Sequence, residues 1–257
     1  VGDLSNLNYV LRAYGDGNLF GEQFGEGSPQ VLFLHGWRRQ LADFEPAGQR
    51  LANLGTTSVA LDLPGFGASV APLEAGGARH YAALLLPTVQ GLASEPLVLV
   101  GHSFGGRVAA VLAAQHPELF RGLVLTGVPL LRNKSNTKAP LGFRSARWLH
   151  RHGWLSEARM EKVRQRFGSP DYLASSGVMR GVLVASVNED YEDELRRLHI
   201  PVRLVWGEFD TEAPLLQAQR SMTMLDDDAT LTVLSGATHF VPTENTEELV
   251  RIIEELL

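Results

Sequence analysis

Short runs of uninterrupted apolar residues recur along this chain, and stretches with helical spacing separate them. Val31, Leu32, Phe33 and Leu34 form the first run and 97–100 another; the mainly apolar segments 58–61, 122–126, 201–206 and 230–234, with Arg203, Thr230 and Thr232 among them, extend the series. Runs of this length without polar alternation predict strands buried on both faces, the habit of a parallel sheet. Between the first two, Phe44, Ala47, Leu51 and Leu54 recur at helical intervals and predict a helix over 43–54. Helices are likewise predicted over 81–93, 105–115, 215–224 and 246–257. Strands alternating with helices give an α/β fold, a mostly parallel sheet covered on both sides.

The rhythm breaks after Pro129. No further strand of this type occurs before residue 201, and helical pattern continues to about Asn188, with Phe143, Trp148, Trp154 and Phe167 within it. The interruption predicts an inserted helical lid over 130–188, with 1–129 and 189–257 forming one core domain.

Composition narrows the class. A chain of 257 residues with 44% hydrophobic content buries a full-sized core. No run approaches eighteen apolar residues, so no membrane span is expected. The absence of cysteine excludes disulfides, thiolate metal sites and a cysteine nucleophile. With no leader pattern visible, a cytoplasmic location is the expectation, a leader removed ahead of Val1 being the alternative. Nothing in the chain chooses between monomer and homodimer.

The net charge of −6 argues against nucleic-acid binding. Its distribution is uneven. Residues 131–167 carry ten basic side chains (Arg132, Lys134, Lys138, Arg144, Arg147, Arg151, Arg159, Lys162, Arg164, Arg166) against Glu157 and Glu161, so the rest of the chain holds −14. Two readings follow: a solvated basic face paired with the acidic remainder, or a surface that steers an anionic substrate or partner.

Chemistry concentrates where strands end. Residues 97–100 run through Gly101-His102-Ser103-Phe104-Gly105-Gly106 directly into a small-residue helix. That corner predicts a strained backbone at Ser103 and a hydroxyl lifted clear of the sheet. Glycines two residues to either side remove Cβ atoms that would collide, and the first free N–H groups of the helix face any oxyanion formed there. A serine needs a base, and the base needs an orienting carboxylate. The strand 201–206 ends at Gly207-Glu208-Phe209-Asp210, and 230–234 at Ser235-Gly236-Ala237-Thr238-His239. His102 sits beside the serine, where a pocket-lining or structural role is expected. There is no H-E-x-x-H, no G-x-x-x-x-G-K-[ST] and no helix-opening G-x-G-x-x-G, so no metal or cofactor is expected.

Four motifs in this order, His35-Gly36-Trp37, Asp62 to Gly67, the corner at 101–106 and the pair Asp210 and His239, make the chain resemble a serine hydrolase of the α/β-hydrolase superfamily. The resemblance implies Ser103 as nucleophile, His239 as general base and acid, and Asp210, in preference to Glu208, as the group that orients His239. It implies an oxyanion hole from the backbone N–H groups of Trp37 and Phe104. His35 and Asp62 read as loop architecture. Trp148 and Trp154 are expected in the roof of an apolar pocket, with ordinary helix packing as the other reading.

The implied substrate is a small molecule, a carboxylic ester of a small to medium apolar or aromatic acid. Hydrolysis of a carbon–carbon bond in ring-cleavage dienoates is the alternative, although relatives of that kind often carry Asn where this chain has His102. A non-catalytic small-molecule receptor on the same fold is the third reading.

Overall fold

The computed structural model describes residues 9–92, 94–132 and 141–257. Its centre is an eight-stranded sheet of order β1-β2-β4-β3-β5-β6-β7-β8. The strands are β1 (Tyr9–Tyr14), β2 (Leu19–Phe24), β3 (Val31–Leu34), β4 (Ser58–Asp62), β5 (Leu97–His102), β6 (Phe120–Thr126), β7 (Val202–Gly207) and β8 (Thr230–Leu234). From β4 to β8 every pairing is parallel, whereas β1 and β2 run antiparallel at one edge.

The continuous apolar runs divide by parity. Leu32, Leu34, Leu97, Leu99, Leu123, Leu125, Leu204 and Trp206 point to one face, and Val31, Phe33, Val98, Val100, Val124 and Val205 to the other. Both faces are then covered. On the first lie α2 (Ala78–Leu92) and α3 (Ser103–Gln115), through Tyr81, Leu85, Val108 and Leu112. On the second lie α1 (Glu45–Asn53) and α11 (Thr246–Glu254), through Ala47, Leu51, Leu249 and Ile253. Each fully buried leucine of this kind contributes about 2–3 kcal/mol of transfer free energy.

Between β6 and β7 come α4 (Leu141–Arg151), α5 (Glu157–Phe167), α6 (Pro170–Ala174), α7 (Gly177–Asn188) and the short α8 (Glu192–Leu195). Lys134 and Lys138 lie outside the described residues. Arg107, one turn into α3, joins this segment to the core by donating to the carbonyls of Pro129 and Ser186, each at 3.1 Å. α9 (Leu215–Met222) follows β7, and α10 (Val241–Glu244) precedes α11. Among the described residues no helix is long and apolar enough to cross a membrane.

Strand order fixes where a site can form. The chain passes from β3 outward to β4, then returns to place β5 on the other side of β3. The sheet reverses direction at that point, and the crevice beyond the C-terminal ends of β3 and β5 is where open α/β sheets bind ligands. His35-Gly36-Trp37 and Ser103 sit at those two ends.

Candidate active site

Ser103 has φ of +49°, the left-handed conformation that a side chain with Cβ rarely adopts. It is held there by crowding. A Cβ on Gly101 would lie 2.5 Å from Gly106 Cα, and one on Gly105 would lie 2.3 Å from the Leu34 carbonyl oxygen. The Gly105 N–H donates to the His35 carbonyl at 3.0 Å, which clamps the corner against the loop after β3. In the same loop, the Cβ position of Gly36 is 3.4 Å from Ser103 Cβ.

Aromatic edges fix the rest of this wall. Phe104 is buried among Trp37, Phe66 and Tyr81, with ring centroids 5.5, 6.3 and 5.0 Å away. The Trp37 ring packs edge-on to both Phe66 and Phe104. The Phe104 N–H belongs to the first turn of α3, which has no acceptor within the helix.

Asp210 and His239 come together from neighbouring strand ends. Trp206 Nε1 donates to the Ala213 carbonyl at 2.7 Å, and Asp210 Oδ1 accepts from the N–H groups of Glu212 and Ala213. The loops after β7 and β8 are stitched by Glu208 N–H to Leu234 O and Phe209 N–H to Ala237 O. Asp210 Oδ2 is thereby brought to 2.8 Å from His239 Nδ1, with both residues 5% exposed. Glu208, the competing carboxylate, instead accepts from Ser235 Oγ and the Gly236 N–H, so it braces the turn.

The opposite edge of the His239 ring differs from the sequence expectation. Nε2 lies 3.5 Å from Glu212 Oε2, and Ser103 Oγ makes no hydrogen bond among the described residues. The sequence carried no signal for Glu212. Its position follows from the turn around Asp210, and only the folded loop brings its carboxylate to the imidazole.

His102 is buried beneath this arrangement. Its Nδ1 donates to the Thr126 carbonyl at 3.0 Å, with Thr126 Oγ1 at 2.9 Å, and its ring centroid lies 4.8 Å from that of His239. Burial, reinforced by the neighbouring His239, pushes its pKa down to about 3. A neutral ring packed behind His239 makes His102 part of the site's floor.

His35 and Asp62 hold loops. The Leu63 N–H donates to His35 Nε2 at 2.9 Å, which leaves the proton on Nδ1 for the Gly36 carbonyl, and burial lowers the His35 pKa. Asp62 accepts from the Leu41 and Ala68 N–H groups. Trp148 and Trp154 lie elsewhere than the roof expected from sequence. They are 48% and 72% exposed and stack edge-on against each other at 5.7 Å, because α4 turns Ala146 inward. From the inserted segment it is Met179, on α7, that packs over the Gly65 turn and against Tyr81. No cluster of His, Asp and Glu able to hold a metal ion occurs among the described residues.

Residues 31–252 match the sequence profile of the family described as Alpha/beta hydrolase family. The chain belongs to that family. Among curated proteins, this alpha/beta hydrolase is 26% identical over 249 residues to 2-succinyl-6-hydroxy-2,4-cyclohexadiene-1-carboxylate synthase of Salmonella paratyphi A, covering 90% of this chain and 94% of that one. Among solved structures, the thioesterase domain from the curacin biosynthetic pathway superposes with a TM-score of 0.71 at 22% identity, covering 97% of this chain and all of that one. A thermophilic esterase from Thermogutta terrifontis gives 0.69 at 22% identity, over 96% and 97% of the two chains. These likenesses establish the fold of this alpha/beta hydrolase.

Proposed function

We propose that the protein is a serine hydrolase that cleaves carboxylic esters of small to medium apolar or aromatic acids through a covalent acyl-enzyme. Ser103 attacks the acyl carbonyl, and His239 Nε2 takes its proton and returns it to the leaving alcohol. Asp210 fixes the proton on His239 Nδ1 and stabilises the imidazolium that forms. The tetrahedral oxyanion lies against the N–H groups of Phe104 and Trp37, where loss of one donor typically costs roughly 2.7–4 kcal/mol. Water then attacks the acyl-enzyme by the same route in reverse. No cofactor is required.

The observation that supports this reading is a strained Ser103 at the reversal of the sheet together with a buried His239–Asp210 pair, bonded at 2.8 Å, at the ends of strands in the same sheet. Such strain costs energy and persists only where the surrounding structure enforces it, most often at sites where chemistry uses it. In this reading His239 Nε2 exchanges Glu212 for Ser103 Oγ as its neighbour when substrate binds. Such contacts commonly tighten only with substrate bound.

A second reading has its own support. A curated relative covering 90% of this chain is named for making a cyclohexadiene carboxylate, which favours chemistry at a carbon–carbon bond of a carboxylated ring compound. A panel of p-nitrophenyl esters of increasing acyl length, assayed beside a ring-cleavage dienoate, separates the two. Turnover of short esters, abolished in Ser103→Ala, supports the esterase; turnover of the dienoate alone supports the second reading.

A further inference from the structure

The outer face of α4 is built for contact. Its inward side is occupied by Ala146, while Leu141 is 76% exposed and Trp148 48% exposed on the same side of the helix as Arg144, Arg147 and Arg151. A groove of about 780 Å³ follows this face. At the end of α4 the chain turns through Trp154, 72% exposed, whose N–H donates to the Leu149 carbonyl and whose ring meets Trp148 edge to face. Two exposed indoles thus form the tip of the α4–α5 hairpin.

The cations around that tip are uncompensated. Arg144, Arg147 and Arg151 on α4, and Arg159, Lys162 and Arg166 at successive turns of α5, are exposed and have no carboxylate within ion-pair distance among the described residues. The carboxylates of Glu157 and Glu161 are taken by His150, Arg164 and Arg180. The rest of the chain is strongly acidic.

We propose that the α4–α5 hairpin docks on an anionic lipid surface, with Trp148, Trp154 and Leu141 entering the headgroup region and the six cations meeting lipid phosphates. Tryptophan settles at the boundary between headgroups and acyl chains, and each Lys or Arg near an anionic leaflet adds attraction. A sheet of headgroups satisfies cations dispersed over two helices without requiring a partner shaped to each one. The acidic remainder is repelled by the same surface, so the molecule approaches hairpin first. The proposal stands apart from the catalytic reading, because binding is measured without turnover.

Tryptophan fluorescence of the whole protein, titrated with phosphatidylcholine vesicles and with vesicles containing equal parts phosphatidylglycerol, tests it. Trp206 is fully buried and Trp37 half-buried, so Trp148 and Trp154 dominate any change. The expected result is a blue shift, and quenching by brominated acyl chains, with anionic vesicles only, lost at high salt. Arg144→Gln, Arg147→Gln and Arg151→Gln each lower partitioning about fivefold. Trp148→Ala with Trp154→Ala lowers it further in a sedimentation assay. Unchanged unfolding midpoints in these surface variants keep the comparison fair. Absence of binding to anionic vesicles overturns the proposal; binding equal to neutral and anionic vesicles, or indifferent to the variants, overturns it as well.

Discussion

Gly127 stands where any larger residue would strike His239. A Cβ at Gly127 would lie 2.9 Å from His239 Nδ1 and 3.0 Å from Asp210 Oδ2, the two atoms whose hydrogen bond orients the imidazole. The glycine also has φ of +56°, so side chains are excluded there on conformational grounds too. Gly127→Ala therefore displaces the pair by a few tenths of an ångström. Loss of kcat by about 10- to 100-fold is expected, with about 1 kcal/mol of destabilisation. Ester kinetics beside urea denaturation check it, and full activity in the folded variant would count against the site.

Strain at Ser103 gives a prediction that separates stability from activity. Both Ser103→Ala and Ser103→Gly remove the nucleophile, but only glycine relieves the left-handed conformation. Ser103→Gly is expected to be about 1 kcal/mol more stable than Ser103→Ala, the difference being read from paired denaturation curves. Equal stability would mean that the corner holds no strain.

The carboxylate of Glu212, 3.5 Å from His239 Nε2 and 61% exposed, puts negative charge beside the imidazole proposed as the base. It disfavours an anionic acyl group, weakly, because water screens it. Glu212→Gln is expected to raise kcat/KM for an anionic ester by about two- to fivefold relative to a neutral ester of equal length, with the gap closing at high salt. No change in that ratio at low salt would remove Glu212 from substrate selection.

Burial of His102 links stability to acid. Its pKa falls from about 6.5 in the unfolded chain to about 3 in the folded protein, so unfolded molecules bind a proton that folded ones refuse. The stability this group confers is complete above about pH 6.5 and is lost as pH falls toward 3, at up to about 1.4 kcal/mol per pH unit. His35, also lowered by burial, acts in the same direction. His102→Phe should show a shallower decline of unfolding free energy between these limits. An identical slope in variant and wild type would contradict the assignment.

Most of what positions the site was legible in the sequence. Strands β3 to β7 announced themselves as largely apolar runs because each is buried on both faces, β8, at the sheet's edge and partly exposed, by its spacing after them, and the corner at Ser103 because a strand meets a helix without a spacer. The antiparallel strands β1 and β2 escaped notice: β2 mixes buried with half-buried positions, and Gln23, buried in it, donates its amide N–H groups to the Gly25 and Gly27 carbonyls. The helix expected over 43–54 begins as a 3₁₀ turn at Leu41–Phe44 before α1. The exposure of Trp148 and Trp154 was not legible, because the presence of aromatic residues in 143–167 does not say which side of the segment faces the core. Glu212 had no local pattern at all, since its meeting with His239 depends on the pairing of β7 with β8.

The central claim is that Ser103 forms a covalent intermediate with His239 as its base. Intact-protein mass spectrometry after exposure to a fluorophosphonate tests it most directly. Wild type is expected to gain one phosphonyl group, mapped to the peptide containing Ser103, while Ser103→Ala gains none and His239→Ala reacts far more slowly. A wild-type protein that remains unmodified, or a label that persists in Ser103→Ala, would contradict it.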